Sequence, residues 1–289
     1  MTKKVTTEMV VEEGTPRCNG NHDTNSSNHT GEQEHKQHIQ HQKQHHQQPE
    51  LSNYDVDLQY DPITPEARKS TKMIISIGDQ KSGYPLREYE LVHDKLMHLI
   101  IVSEDLSYFD HIHPTFEDTA ESFTISHKFP QAGIYKLWID FKPKGGDRTL
   151  VAFEREVIGN QIHKPITLVY DGKYTKGSAE GKYQISLKLP EKIVANDDVE
   201  IVFSISDAAN KPVGDLEPLM GAGGHSIIIS SDTKEFLHVH PTEEVDPFWR
   251  GGPEISFRTN FPKTGIYKVW GQFQHQEKMI IADFVLEVI

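Results

Sequence analysis

Six histidines recur with the same spacing in two parts of the chain, and they are the residues best suited to chemistry. The first set is His98, His111 and His113, and the second is His225, His238 and His240. Neutral imidazole is a good ligand for zinc, copper and nickel ions. Three converging imidazoles can hold such an ion, at metal–nitrogen distances of about 2.0–2.1 Å for zinc. The pattern predicts one three-histidine metal site per set.

Both sets lie within a longer internal repeat. Residues 98–114 align without a gap on residues 225–241, and residues 129–138 align on residues 261–270. Upstream the match weakens but persists, since residues 73–77 correspond to residues 201–205. Duplication at this scale predicts two domain-sized modules, residues 53–159 and 181–289, joined by a linker.

Short strands must position these histidines. Segments such as Tyr183-Gln-Ile-Ser-Leu-Lys-Leu alternate with a period of two, and Pro/Gly turns separate them, whereas no long helical stripe is present. The sequence therefore predicts an all-β chain of two tandem immunoglobulin-like β-sandwich domains, with a small barrel as the alternative. Trp138 and Trp270 are expected to fill the cores of the two modules.

Strand geometry favours convergence of each set. Residues i and i+2 of a strand share a face, so His111 and His113 project together, as do His238 and His240. A two-residue turn at residues 104–105 would place His98 directly opposite His111. A turn at residues 231–232 would likewise place His225 opposite His238. A shift of one residue in the pairing of the two strands would place His98 on the other face of the sheet.

Other side chains near the sets are candidate accessory ligands. Met97 adjoins His98, and Met220 precedes His225 by five residues. A thioether, a water molecule or a carboxylate can each supply a fourth ligand. The remaining histidines of the modules have no repeat partner and are expected at the surface. They are His93, His127, His163 and His275.

Residues 1–50 form a polar tail rich in histidine and glutamine. Because it has almost no large apolar side chains, the tail is predicted to be disordered. Its imidazoles are candidate accessory ligands that gather metal, and the alternative is a solvated low-complexity segment. They are His22, His29, His35, His38, His41, His45 and His46.

Composition excludes several other functions. The formal net charge of −13 argues against a nucleic-acid partner. The single cysteine, Cys18, allows no internal disulfide and no multi-cysteine zinc site. No apolar run reaches the roughly 20 residues of a membrane span. Residues 1–14 have no apolar segment typical of a signal peptide, which predicts a cytoplasmic protein.

Two functions are consistent with these patterns. The first is a non-catalytic protein that binds copper or zinc, or nickel, and holds it or passes it on. The second is a tandem sandwich that serves as a structural or protein-interaction module, with histidines that cap strands. Enzyme activity is not expected, because no general acid or base recurs with the histidines in both modules.

The motifs also carry a family resemblance. The segment 219–225 (Leu-Met-Gly-Ala-Gly-Gly-His), the His-x-His-Pro of residues 238–241 and the Phe-Pro-x-x-Gly-x-Tyr-x-x-Trp of residues 261–270 resemble a bacterial family of uncharacterised immunoglobulin-like domains. That family is similar to YtkA-like and copper-resistance-type β-sandwich proteins. The resemblance implies copper or other heavy-metal handling in exported or cell-envelope proteins. The first module departs from it, with Val92-His-Asp-Lys-Leu-Met97 in place of the Gly-rich lead.

Overall fold

A computed structural model describes residues 53–160, 166–178 and 181–289 of the chain. The described residues form seventeen strands and no helix, so they include no helix that could cross a membrane. The predicted disorder of the tail, its histidines, Cys18 and His163 lie outside the described residues.

Nine strands belong to the first module. They are β1 (Tyr54–Asp61), β2 (Thr71–Asp79), β3 (Tyr89–Glu90), β4 (Met97–Ser103), β5 (Phe109–Ile112), β6 (Thr115–Glu117), β7 (Ser122–His127), β8 (Gly133–Pro143) and β9 (Thr149–Val157). The others are β10 (Thr175–Gly177), β11 (Tyr183–Lys188), β12 (Asp198–Asp207), β13 (His225–Ser230), β14 (Phe236–Val239), β15 (Glu254–Asn260), β16 (Gly265–His275) and β17 (Lys278–Val288).

Each module consists of two antiparallel sheets. In the first module, one sheet has the order β1-β2-β7-β6, and the other has the order β5-β4-β8-β9 with β3 also pairing with β8. In the second, the orders are β10-β11-β12-β15 and β14-β13-β16-β17. Two separate sheets per module make a sandwich rather than a barrel. The prediction of an all-β chain with two tandem sandwich domains is confirmed.

A hydrophobic core lies between the sheets of each module. In the first, Ile75 of β2 packs in one buried cluster with Leu99 and Ile101 of β4. In the second, Phe203 of β12 shares a cluster with Phe273 of β16. Alternate residues of each strand supply these contacts, as the period of two requires.

A third buried cluster joins the two modules. Strands β4 and β13 are buried on both faces, and the residues that face away from their own cores meet here. The cluster contains Ile100, Val102, Leu106, Trp138, Ile227, Ile229, Phe236 and Trp270. The prediction that both tryptophans fill the module cores is therefore wrong. Leu137 and Ile139 face the core of the first module, so Trp138, which lies between them on β8, points to the opposite face of the sheet.

The modules meet through equivalent surfaces. The ring of Trp138 stacks on Phe236, with centroids 5.0 Å apart and an interplanar angle of 22°. The ring of Trp270 stacks on Phe109 at 4.7 Å and 14°. In the sequence repeat, Phe109 corresponds to Phe236 and Trp138 to Trp270. The interface thus repeats one contact twice, as in a two-fold symmetric dimer.

The hairpins that carry the histidines have longer loops than the sequence analysis predicted. Strand β4 pairs with β5 so that Ile100 lies opposite His111, and β13 pairs with β14 so that Ile227 lies opposite His238. His98 is therefore level with His113, not His111, and His225 is level with His240. The predicted two-residue turns were wrong.

An aspartate explains the loop length. Asp105 Oδ1 accepts hydrogen bonds from Ser103 Oγ at 2.7 Å and from the Ser107 backbone N–H at 3.1 Å. Leu106 adopts a left-handed backbone, with φ 58°. The Ser103 N–H donates to the Tyr108 carbonyl oxygen at 3.2 Å, so the loop spans residues 104–107. Asp232 and Thr233 repeat this arrangement in the second module. Because the resulting shift is two residues, the histidines keep the predicted face.

Candidate metal centre

The structure brings the first histidine set together. His98 Nδ1 lies 2.9 Å from His111 Nε2 and 3.2 Å from His113 Nε2. One nitrogen from each residue lies within 4.8 Å of the others. Nitrogens bound tetrahedrally to one zinc ion would be separated by about 3.3–3.4 Å, given bonds of about 2.0–2.1 Å. The set therefore has nearly the spacing that a bound ion requires.

The second set has the same arrangement. His238 Nε2 lies 3.4 Å from His225 Nδ1, and the three nitrogens that the set offers lie within 4.8 Å of one another. His240 Nε2 is buried and has no hydrogen-bond partner among the described residues. A buried polar atom without a partner is costly, so this nitrogen is suited to a ligand that the protein itself does not supply.

Backbone carbonyls orient one histidine of each set. His98 Nε2 donates to the Val92 carbonyl oxygen at 2.9 Å, and His225 Nε2 donates to that of Leu219 at 3.0 Å. A neutral imidazole that donates from Nε2 has its lone pair on Nδ1. Both Nδ1 atoms therefore present lone pairs to their set.

The opposite module orients a second histidine of each set. His111 Nδ1 donates to Gln272 Oε1 at 2.8 Å, across the interface. His238 Nδ1 lies 3.0 Å from Asp140 Oδ2, a contact that crosses the interface in the reverse direction. These two acceptors are equivalent residues, because each lies two positions after the repeated tryptophan of its strand. Outer contacts of this kind fix the tautomer of a metal-binding histidine.

Arg148 completes the contact at Asp140. Its Nε donates to Asp140 Oδ1 at 2.7 Å, and its Nη2 donates to Oδ2. The same Nη2 lies 2.8 Å from His238 Nδ1. A metal ion bound at His238 Nε2 would require the hydrogen of this imidazole on Nδ1, where Asp140 Oδ2 can accept it. The guanidinium compensates the charge of Asp140, which is 2% exposed.

Burial keeps the histidines neutral. Loss of solvation lowers the pKa of His98 to about 4 and that of His113 to about 2, with neighbouring imidazoles lowering both further. Burial also lowers the pKa of His111, and it holds the pKa values of His225, His238 and His240 well below the ordinary range. An imidazole must be unprotonated to bind a metal, so all six are in the required state at neutral pH.

The two sets lie side by side. The ring centroids of His98 and His238 are 5.1 Å apart, and those of His111 and His225 are 5.9 Å apart. Within the second set, the centroids of His225 and His238 are 5.7 Å apart. The separations between the sets thus overlap with those within one set, and the six imidazoles form one cluster at the module interface.

His93 is a seventh member of the cluster. Its ring stacks on His240 of the other module, with centroids 3.6 Å apart and an interplanar angle of 25°. The expectation that His93 lies at the surface is therefore wrong. A signal was present in the sequence, because His93 precedes His98 by five residues, as Met220 precedes His225. Burial lowers the pKa of His93 to about 4.

Two further histidines are also buried, contrary to expectation. His275 bonds with Tyr183 Oη at 2.8 Å through Nδ1 and with Asp215 Oδ1 at 3.0 Å through Nε2. His127 Nδ1 lies 3.5 Å from Asp110 Oδ2. These polar partners offset the cost of burying each imidazole. The sequence did not indicate this burial, because neither histidine has a counterpart in the repeat.

The two methionines have different surroundings. Met97 is fully buried and packs in the core of the first module. Because neighbouring strand residues point to opposite faces, its thioether faces away from His98, and its assignment as an accessory ligand is wrong. Met220 lies in the turn before β13 and has a left-handed backbone, with φ 51°.

Comparison with known families identifies the chain. Residues 49–159 and 177–289 each match the model of a domain of unknown function, DUF8832. The chain belongs to this family. Two matches to one model agree with the internal repeat. No curated protein matches the chain.

Solved structures show distant likenesses. The Escherichia coli adhesin FdeC is 12% identical, with a TM-score of 0.27, over 82% of this chain and 65% of that one. The fibronectin(III)-like modules of Clostridium thermocellum CbhA are 13% identical, with a TM-score of 0.22, over 81% of this chain and 93% of that one. The DUF8832 chain spans less than two thirds of the length of the first structures it matches.

Proposed function

We propose that this DUF8832 protein binds transition-metal ions through its two histidine sets. The observation that carries the proposal is the direction of the ring nitrogens. Each set is buried at the module interface, and fixed acceptors outside the set bind the ring N–H groups of two of its three histidines. One ring nitrogen of each histidine lies within 4.8 Å of those of the other two in its set.

The contact between His98 and His111 illustrates the argument. His98 Nδ1 has no hydrogen, since Nε2 donates to Val92, and His111 Nε2 has none, since Nδ1 donates to Gln272. Two lone pairs that face each other at 2.9 Å repel unless a cation lies between them. Burial disfavours a proton in that position, because it lowers the pKa of both imidazoles. A metal ion bound to both nitrogens relieves the repulsion.

Copper(II) is the divalent ion that we expect to bind most tightly, followed by zinc or nickel, because nitrogen sites generally follow this order. Three imidazoles leave a fourth position open, which suits an ion that is held and then passed on. The histidine-rich tail would gather such ions. We propose binding rather than catalysis, and copper handling agrees with the copper-resistance-type families that the motifs resemble. Cytoplasm and cell envelope both remain predictions for its location.

A structural role for the same histidines is the second candidate. Its support is that His111 and His238 each bond across the interface, to Gln272 and Asp140. In that case the cluster would hold the modules together without a metal, and the tandem sandwich would serve to contact another protein.

Calorimetric titration with Cu(II) and Zn(II) separates the two candidates. The protein should be full length, with all seven tail histidines replaced by asparagine, so that only the modules bind. We expect two equivalents of metal per chain, and loss of both in the double variant His111→Ala/His238→Ala. His127→Ala is the matched control, because His127 is a buried histidine outside the cluster. Absence of binding by the tail-substituted protein would favour the structural role.

A further inference from the structure

We propose that the two histidine sets form one dinuclear metal centre shared by both modules, rather than two independent sites. The inference rests on the proposed metal binding and adds a specific arrangement to it. Each module would supply three imidazoles for one ion and the hydrogen-bond acceptor that orients a ligand of the other ion.

Distances across the interface support a single centre. The ring of His238 lies closer to His98 of the other module, at 5.1 Å between centroids, than to His225 of its own set, at 5.7 Å. Its distance to His111 is 5.4 Å. An imidazole nitrogen lies about 1.2 Å from its ring centroid, and a bound ion lies about 2.0–2.1 Å from that nitrogen. Ions bound to His98 and His238, whose centroids are 5.1 Å apart, would therefore be no more than roughly 12 Å apart.

The orienting contacts make the two ions interdependent. Gln272 of the second module accepts from His111 Nδ1, and Asp140 of the first module is the acceptor within reach of His238 Nδ1. Displacement of one module would therefore remove an acceptor from both sets at once.

One turn of the first module also touches both sets. The Val92 carbonyl accepts a hydrogen bond from His98, while the neighbouring His93 stacks on His240 of the second module. The equivalent turn of the second module approaches closely, since a Cβ atom on Gly221 would lie 2.8 Å from Asp94 Oδ2. Gly221, whose φ is +73°, thus places the turn of the second module beside the Asp94 side chain of the first.

Electron paramagnetic resonance of the Cu(II)-loaded protein tests this arrangement, because the magnetic interaction of two ions falls steeply with their separation. The sample is the full-length, tail-substituted protein with two equivalents of Cu(II). We expect dipolar broadening that disappears when the same protein is loaded with a one-to-nine mixture of Cu(II) and Zn(II). His98→Ala/His111→Ala should leave one Cu(II) per chain with a narrow spectrum, and the control His127→Ala should retain the broadening.

The possible outcomes distinguish the inference from the proposed function. Two bound ions whose spectrum does not change on dilution with Zn(II) would overturn the dinuclear centre but leave metal binding intact. One ion per chain, lost equally on mutation of either set, would also overturn it and indicate a single shared ion. Failure to bind either metal would overturn the proposed function itself.

Discussion

His238 of the second module and Asp140 of the first are joined by a 3.0 Å hydrogen bond between Nδ1 and Oδ2. The equivalent residues, His111 and Gln272, are joined in the opposite direction at 2.8 Å. The two contacts differ in one respect, because one acceptor is a carboxylate and the other a neutral amide. In the proposed metal centre, each module would therefore affect the metal affinity of its neighbour, and the two effects can be measured separately.

Asp140→Asn should weaken metal binding at the second set, although Asp140 belongs to the first module. Without the carboxylate, Arg148 can donate to His238 Nδ1 and move the lone pair away from the set. Loss of such a partner typically lowers metal affinity about 10–100-fold. Competition titration with a chelator measures the effect, and Asp118→Asn, at an exposed position, is the control. Unchanged affinity would show that the contact does not tune the site.

Gln272→Ala should have the reciprocal effect on the first set. The substitution removes the acceptor of His111 Nδ1, so the hydrogen is free to move to Nε2 and block the lone pair. We expect a fall in affinity of about tenfold or more for one of the two equivalents. Measurement in the background of His225→Ala/His238→Ala isolates the first set. Unchanged metal affinity of the first set in this background would contradict the assignment.

The metal-free protein should lose stability as the pH falls from 6.5 toward about 5. The pKa values of His93 and His98 are lowered to about 4 in the folded protein, whereas the ordinary value is 6.5. In this window the unfolded chain binds more protons than the folded one, so protonation favours unfolding. Above pH 6.5 the histidines are neutral in both the folded and the unfolded protein, so their protonation no longer lowers the free energy of unfolding. Urea unfolding of chelator-treated protein measures it, and a midpoint that does not change between pH 7 and pH 5 would contradict the neutral cluster.

Trp270→Ala should destabilise the module interface. The indole is 3% exposed and stacks on Phe109 of the other module. Truncation of a buried aromatic residue typically costs about 3–5 kcal/mol. Denaturant unfolding measures the loss, and Phe248→Ala is the control because Phe248 is 88% exposed. A loss no larger than that of the control would mean that the stack contributes little.

Met97→Leu should leave metal affinity unchanged. Met97 packs in the core of the first module, and leucine fills a similar volume, so we expect a stability cost below about 1.5 kcal/mol. The absorption spectrum of the Cu(II) protein should also be the same, since no thioether is bound. A lost absorption band or a weaker site would reinstate the methionine as a ligand.

Local patterns in the sequence predicted much of the fold. The period-two segments and the repeat indicated tandem sandwiches, and the i, i+2 rule placed His111 with His113 and His238 with His240. The error in loop length did not disturb this result, because a register shift of two residues preserves the face. Asp105 and Asp232 set the longer loops through side-chain hydrogen bonds, which spacing alone does not indicate.

Contacts between the modules could not be predicted in this way. Asp140 and Gln272 belong to the site only because the sheets of the two modules pack together. Because one is a carboxylate and the other an amide, the sequence repeat did not identify them as equivalent residues. His93 was missed although its position matches that of Met220, because the repeat places no second histidine there. The packing of Trp138 and Trp270 against the opposite module likewise depends on tertiary arrangement, not on strand periodicity.

The paired stacking of Trp138 on Phe236 and of Trp270 on Phe109 has the geometry of a homodimer. A single ancestral module that associated with its own copy would bury these same surfaces and would bring two triads to one axis. Fusion of the two copies makes their encounter intramolecular, so that assembly no longer depends on protein concentration. It also frees each half to diverge, and the exchange of carboxylate for amide at residues 140 and 272 is the kind of asymmetry that an obligate homodimer cannot acquire.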